Sequence, residues 1–181
     1  MLSWTADRYP GRKAVGGAQP LTYRQWDARI NQLARALAGL GVRAGDRVAF
    51  LLADGEPMAS LHLAVQKLGA ASVSLSVRFG PAELAYCIGD ADPMLVIGDE
   101  TTQASLSAAL GKPPQDRAAV EQLAGHEPDG GLGESPRPED ISVVLYTSGT
   151  TGRRIPTSAV GKILRRELTD GRYQPLAEAG S

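Results

Sequence analysis

Helix-period stripes and short apolar runs take turns along this chain, and that alternation narrows its fold to one broad class. Thr22 with Gln25 three residues later forms a capping box, and Trp26, Ile30, Leu33, Leu37 and Leu40 follow at steps of four and three. The pattern predicts an amphipathic helix that ends at Gly41. After a turn at Ala44-Gly45-Asp46, the run Val48 to Leu52 is apolar without a break, as in strands covered on both faces, and predicts a central parallel strand. Pro57 suits the first turn of a second helix, with the stripe Met58, Leu61, Val65 and Leu68 and a stop at Gly69. Val73, Leu75 and Val77 then alternate with Ser72, Ser74 and Ser76, which predicts a strand with one polar face. Pro81 opens a third helix through Leu84 and Ile88, Met94 to Ile97 reads as another strand, and Thr101 is placed to cap a helix through Leu106 and Leu110. Strands separated by helices call for crossover connections, so the expected fold class is α/β: three layers, a mostly parallel sheet and helices on both faces.

From Lys112 to Asp140 the periodicity fades among Pro113, Pro114, Pro128, Gly130, Gly131, Gly133, Pro136 and Pro138. This stretch is expected to be a surface connector with one short helix near Val120 to Leu123. Ile141 to Tyr146 reads as a last strand that runs straight into Thr147-Ser148-Gly149-Thr150-Thr151-Gly152. Beyond it, Lys162 to Leu168 is compatible with a short basic helix, and Gln174 to Ser181 reads as a mobile tail.

A chain of 181 residues suffices for one domain with a substantial core. Its 19 basic and 20 acidic residues give no overall charge to attract nucleic acid or anionic lipid, so any phosphate binding must be local. The longest apolar run, Val48 to Ala53, is far short of the roughly 20 residues of a membrane span, and Met1-Leu2-Ser3-Trp4 has no signal-peptide character. A cytoplasmic protein is the expectation. Cys87 is the single cysteine, which rules out an internal disulfide, and its apolar helical neighbourhood predicts a buried thiol rather than a nucleophile. His62 and His126 have no metal-ligand spacing, and no metal site is assigned. Arg78 follows a strand, where loops build sites, but an exposed arginine needs no special explanation.

The loop after the last strand carries the chemistry. Thr147, Ser148, Gly149, Thr150, Thr151 and Gly152 offer closely spaced N–H groups, two glycines free to take positive φ and four hydroxyls, the parts of an anion-binding nest. Polyphosphate is the obvious anion. It is not a Walker loop, because counting back from Gly161-Lys162 puts Pro156 where the first glycine belongs and Ile163 where a hydroxyl should follow. Lys162, bracketed by Pro156 and the pair Arg165 and Arg166, is a compact charge suited to an oxygen on which negative charge builds during acyl transfer to phosphorus.

The run Tyr146 to Gly152 resembles the phosphate loop, and Ile155 to Leu168 the catalytic-lysine segment, of the AMP-forming acyl-CoA synthetases and related adenylate-forming ligases. Asp7-Arg8-Tyr9-Pro10, Leu21-Thr22-Tyr23, Gly45-Asp46-Arg47-Val48, Leu68-Gly69-Ala70 and Pro81-Ala82-Glu83-Leu84 fall where such enzymes carry similar words. The resemblance implies that ATP, with Mg, and a carboxylic acid give an acyl adenylate and pyrophosphate, after which CoA takes the acyl group, as in fatty acid metabolism. It implies that Thr147 to Gly152 hold the ATP phosphates and that Lys162 contacts the reacting carboxylate and α-phosphate. It also implies two parts: residues 1–152 as the N-terminal portion of the ligase domain, and 153–181 as a remnant of the C-terminal domain with its tail.

The sequence departs from that pattern after the loop. Arg153-Arg154-Ile155 leads at once into the lysine segment, where the family continues Pro-Lys-Gly and then a long central region. The aromatic-Gly-x-Thr-Glu motif that brings the metal-binding glutamate, the ribose-binding aspartate motif and the hinge have no counterpart in these residues. The α/β unit is therefore expected to be incomplete relative to the family and catalytically incomplete on its own; the alternative is a non-catalytic nucleotide-binding or protein-interaction module derived from that family, with a protein partner covering the incomplete sheet. The ten residues from Gly152 to Lys162 reach about 33–36 Å when extended, so reach does not prevent the lysine from folding back. Preorganisation does: ordering such a connector costs about 1–2 kcal/mol per residue.

Overall fold

The structure, a computed structural model, describes residues 2–17, 19–132, 137 and 140–146. Thr147, Ser148, Gly149, Thr150, Thr151, Gly152 and Lys162, with the short basic helix and tail expected after them, lie outside the described residues.

The chain opens with α1 (Leu2–Arg8) and an antiparallel pair, β1 (Lys13–Val15) and β2 (Leu21–Thr22). Neither was legible in the sequence pattern. Next come α2 (Tyr23–Gly39), β3 (Arg47–Leu51), α3 (Glu56–Lys67), β4 (Ala71–Ser74), α4 (Pro81–Ala91) and β5 (Leu95–Gly98). They are followed by α5 (Gln103–Leu110), β6 (Gln115–Asp116), α6 (Arg117–Ala124) and β7 (Val143–Leu145).

Local chemistry accounts for the helix boundaries. At α2 the capping box forms as expected: the Gln25 N–H donates to Thr22 Oγ1 at 3.3 Å and the Thr22 N–H to Gln25 Oε1 at 2.9 Å. Gly41, at φ 101°, takes the left-handed conformation that lets the chain leave that helix, and Gly69, at φ 70°, does the same after α3. Pro57 and Pro81 both sit in first turns, where a missing N–H costs nothing. The cap of α5 differs from expectation. Thr102, not Thr101, holds the N-cap position, and Asp99 organises the turn: its Oδ1 accepts from the Thr101 N–H at 3.0 Å, the Thr101 hydroxyl at 2.6 Å and the Thr102 hydroxyl at 3.1 Å.

The five longer-range strands form one parallel sheet in the order β6-β5-β3-β4-β7. From β3 the chain steps to β4 on one side, then crosses back to β5 on the other. Because crossovers between parallel strands are right-handed, opposite steps place their helices on opposite faces. Thus α2, α3 and α6 cover one face and α4 and α5 the other, giving the three layers the alternation predicts. The unbroken run in β3 follows: Val48 and Phe50 enter one core while Ala49 and Leu51 enter the other.

The same two-sided burial reaches β4: the polar face expected of it is covered rather than open to solvent. Ser72 is fully buried beneath α3, its hydroxyl 2.7 Å from Nδ1 of His62 and 3.2 Å from the carbonyl of Ser142. The strand ends at Ser74, and by Val77 the chain has reached solvent. The described residues 112–132 of the connector carry more structure than expected: they hold β6 and all of α6 and are bound to the flank of α2. Arg35 donates to the carbonyls of Pro128, Gly130 and Gly131 at 2.7, 2.8 and 2.9 Å. Gln32 reaches that of Glu127 at 3.0 Å and Asn31 that of Asp129 at 2.9 Å. No described helix is long and apolar enough to cross a membrane.

Candidate functional site at the carboxyl edge of the sheet

All five parallel strands point the same way, so their carboxyl ends share one edge, and at such edges open α/β sheets take ligands. Three loops leave it: Leu52 to Gly55 after β3, Leu75 to Gly80 after β4, and Asp99 to Thr102 after β5. β6 passes directly into α6, and the remaining exit is Tyr146, after β7. Because β7 runs parallel to β4 with Leu145 opposite Ser74, the chain heads for Thr147 from that edge, beside the β4 loop.

Tyr146 is fastened on its way out. Its phenol donates to Oδ2 of Asp90 on α4 at 2.7 Å, and its ring packs on the second core with Phe79, Ile141 and Leu110. Partial burial and the neighbouring Asp90 carboxylate raise the phenol far above its ordinary pKa, so it stays a hydrogen-bond donor at any physiological pH. This pairing, across 56 residues of sequence, was not legible from residue patterns.

The acidic groups at the edge do other work. Burial opposes charge on Asp99, but the hydrogen bonds from Thr101 and Thr102 outweigh it and hold the carboxyl below its ordinary range. The Glu56 carboxylate accepts from the Ser60 hydroxyl at 2.5 Å, and Ser60 Oγ accepts from Trp26 Nε1 at 2.8 Å. Arg29 Nε lies 2.9 Å from the same Glu56 oxygen, an ion pair whose N–H is not aligned for a hydrogen bond. Its Nη2 meets Glu121 at 3.2 Å, so this network ties α2, α3 and α6 together. Among the described residues no group of three or more His, Cys, Asp or Glu side chains converges on a point. The magnesium implied by the sequence resemblance therefore finds no donor set in them, and no step is routed through it.

The other two titratable residues singled out in the sequence are structural. His62 bridges Ser72 and Gln66, and burial lowers its pKa. Cys87 is buried on α4, as its apolar surroundings predict, and burial followed by Asp90 and Glu83 raises the thiol.

Comparison with known proteins agrees with this architecture. The family model described as "AMP-binding enzyme" matches residues 2–154, and the chain belongs to that family. It is 33% identical over 151 residues to the 3-hydroxybenzoate–CoA ligase of Aromatoleum sp. (strain CIB), covering 77% of this chain and 29% of that protein. It is 35% identical over 147 residues to the 3-hydroxybenzoate–CoA/4-hydroxybenzoate–CoA ligase of Thauera aromatica, covering 74% and 28%. Among solved structures, a Mycobacterium tuberculosis fatty acyl CoA synthetase superposes with a TM-score of 0.75 at 25% identity, over 82% of this chain and 32% of that one. The chain thus spans less than a third of the length of these relatives.

Proposed function

We propose that this chain carries the nucleotide-phosphate site of an AMP-forming acid–thiol ligase and, by itself, binds ATP without completing adenylate formation. One observation supports the reading above others. Strand β7 ends at the carboxyl edge of a parallel sheet, with Tyr146 anchored to Asp90, immediately before the hydroxyl-rich run Thr147 to Gly152. That is the position from which backbone N–H groups and hydroxyls are offered to an anion in α/β folds. In this reading Thr147, Ser148, Gly149, Thr150, Thr151 and Gly152 hold the phosphates, and Lys162 is the charge for the reacting carboxylate and α-phosphate. CoA is the acceptor of the acyl group in the whole reaction.

Incompleteness follows from the segments that have no counterpart in the sequence. Losing one preorganised transition-state donor costs about 10²- to 10³-fold in rate, and here the metal ligand and ribose anchor are lost together. A pyrophosphate-exchange assay with ATP and a panel of fatty and aromatic acids should give no exchange above background, while ATP binds measurably by calorimetry. Exchange that disappears in Lys162→Ala would show the chain to be a working adenylating enzyme and refute the reading. A second reading, a module that meets a protein partner, is favoured by Leu145, which is 66% exposed on β7, the last strand of the sheet. Sedimentation separates the two: a monomer that binds ATP supports the first, an obligate complex the second.

A further inference from the structure

We propose that Gln66, His62, Ser72 and the carbonyl of Ser142 form a pH-sensitive latch joining α3 to the seam between β4 and β7, closed while the imidazole is neutral and opened when it takes a proton. The latch does not depend on nucleotide binding.

The two ends of this series fix where its protons lie. The Ser142 carbonyl can only accept, and it accepts from Ser72 twice, from the N–H at 3.0 Å and from the hydroxyl at 3.2 Å. With its one proton committed there, Ser72 Oγ meets Nδ1 of His62 at 2.7 Å as an acceptor, so Nδ1 carries the ring proton. At the other end the amide nitrogen of Gln66, which can only donate, stands 3.1 Å from Nε2. Nε2 is therefore the bare nitrogen, and both ends require the same neutral tautomer.

An imidazolium does not fit this frame. A protonated Nε2 is a donor facing the donor of Gln66, and burial already holds the ring below its ordinary pKa. The charges on the surrounding elements are engaged with one another. On α3, Glu56 is paired with Arg29 and Lys67 with Asp27, and through these two pairs α2 meets α3. The one ionisable side chain of β3, Arg47, faces Asp92; β4 and β7 carry none; and Asp140, just ahead of β7, is paired with Arg137. Among the described residues no carboxylate lies within ion-pair distance of the ring.

The ring is half-buried, so once protonated it reaches water by turning away from Ser72. Ser72 is fully buried, and its hydroxyl oxygen is then left without a donor. That loss falls on a short strand: β7 has three residues, and β4 is the neighbour it pairs with. Acid therefore loosens the seam beside β7 before the rest of the sheet.

β4 supplies an internal control, because successive N–H groups point to opposite neighbours. That of Ser72 goes to Ser142, whereas those of Ala71 and of Leu75, just past the strand, go to the carbonyls of Asp46 and Phe50 at 2.8 and 2.9 Å. The test is nuclear magnetic resonance on the isotope-labelled 181-residue chain, as the unaltered protein, His62→Gln and Ser72→Ala. At pH 7.5 the ring nitrogens of His62 should report a proton on Nδ1 and none on Nε2. Hydrogen exchange, corrected for the intrinsic rate at each pH, then compares the three amides on either side of the His62 titration. In acid, protection at Ser72 should fall about three- to tenfold, the loss of one hydrogen bond, while Ala71 and Leu75 keep theirs. His62→Gln, whose amide does not titrate, should abolish the change. Ser72→Ala cuts the ring from the seam and leaves the ring in place, so the amide at that position should show the lower protection at both pH values. A proton on Nε2 at pH 7.5 overturns the latch. An equal fall at all three amides refers the effect to global stability and overturns it too, as does a pH-dependent fall at position 72 that survives in either variant.

Discussion

Gly98 closes β5 against α5 with no room for a side chain. A Cβ there would stand 2.6 Å from Leu106 Cδ1, 3.1 Å from Thr102 Oγ1 and 3.6 Å from Pro114 Cγ. Leu106 is fully buried, so the displaced methyl has nowhere to go without moving α5 or the Asp99-Thr102 turn. Overpacking of this kind costs about 1–3 kcal/mol. The stiffer unfolded chain returns about 0.4–1 kcal/mol, because the φ of Gly98 lies outside the left-handed region. Gly98→Ala should therefore destabilise by about 1–2 kcal/mol. Leu106→Ala empties the same space and should cost about 2–5 kcal/mol. In the double variant the new methyl of residue 98 occupies room that Leu106 vacated, so its loss should fall short of the sum by about 0.5–3 kcal/mol. Urea unfolding followed by circular dichroism measures all four corners of the cycle. Strict additivity, or an unaffected Gly98→Ala protein, would refute the argument that this contact fixes the spacing of β5 and α5.

Two further outcomes concern the half-buried His62 and the buried Cys87. His62 has a folded pKa below the ordinary imidazole value of 6.5, because burial penalises the imidazolium. The unfolded chain therefore binds the proton first, and the stability tied to neutral His62 is complete above about pH 6.5 and declines as pH falls through that value toward the folded pKa. Urea midpoints between pH 5 and 7.5 should drop less steeply in His62→Gln than in the unaltered protein; identical pH profiles would count against it. Cys87 is 5% exposed and its thiol is raised by burial, so iodoacetamide at pH 8 should label it slowly until urea unfolds the chain. Rapid labelling of the native protein would contradict its placement.

The helices were legible because their boundaries rest on neighbours in sequence: Thr22 with Gln25, proline in the first turn, glycine just past the last. The parallel sheet was legible because Val48 to Leu52 can be satisfied only by cover on both sides. Ser72 misled because an alternating serine looks solvated, and only the sheet order reveals that His62 is waiting above it. The connector misled for a related reason. Its partners are side chains of α2 more than 90 residues away, and no periodicity records a carbonyl meeting a distant guanidinium. Of the candidate site, the anchor residue Tyr146 was visible as the start of a motif, whereas its tether to Asp90 emerged only from the fold. The family match bears out the resemblance over residues 2–154.

The grip of Arg35 on the carbonyls of Pro128, Gly130 and Gly131 also bears on the order of assembly. On a ribosome, β3, β4 and β5 can gather as they appear, each joined to the last by its own helix. The final margin of the sheet has to wait until the polypeptide has doubled back across the entire molecule and been stapled to a helix completed long before. A lesion at Arg35 should therefore be felt at β7 as well as where the arginine sits.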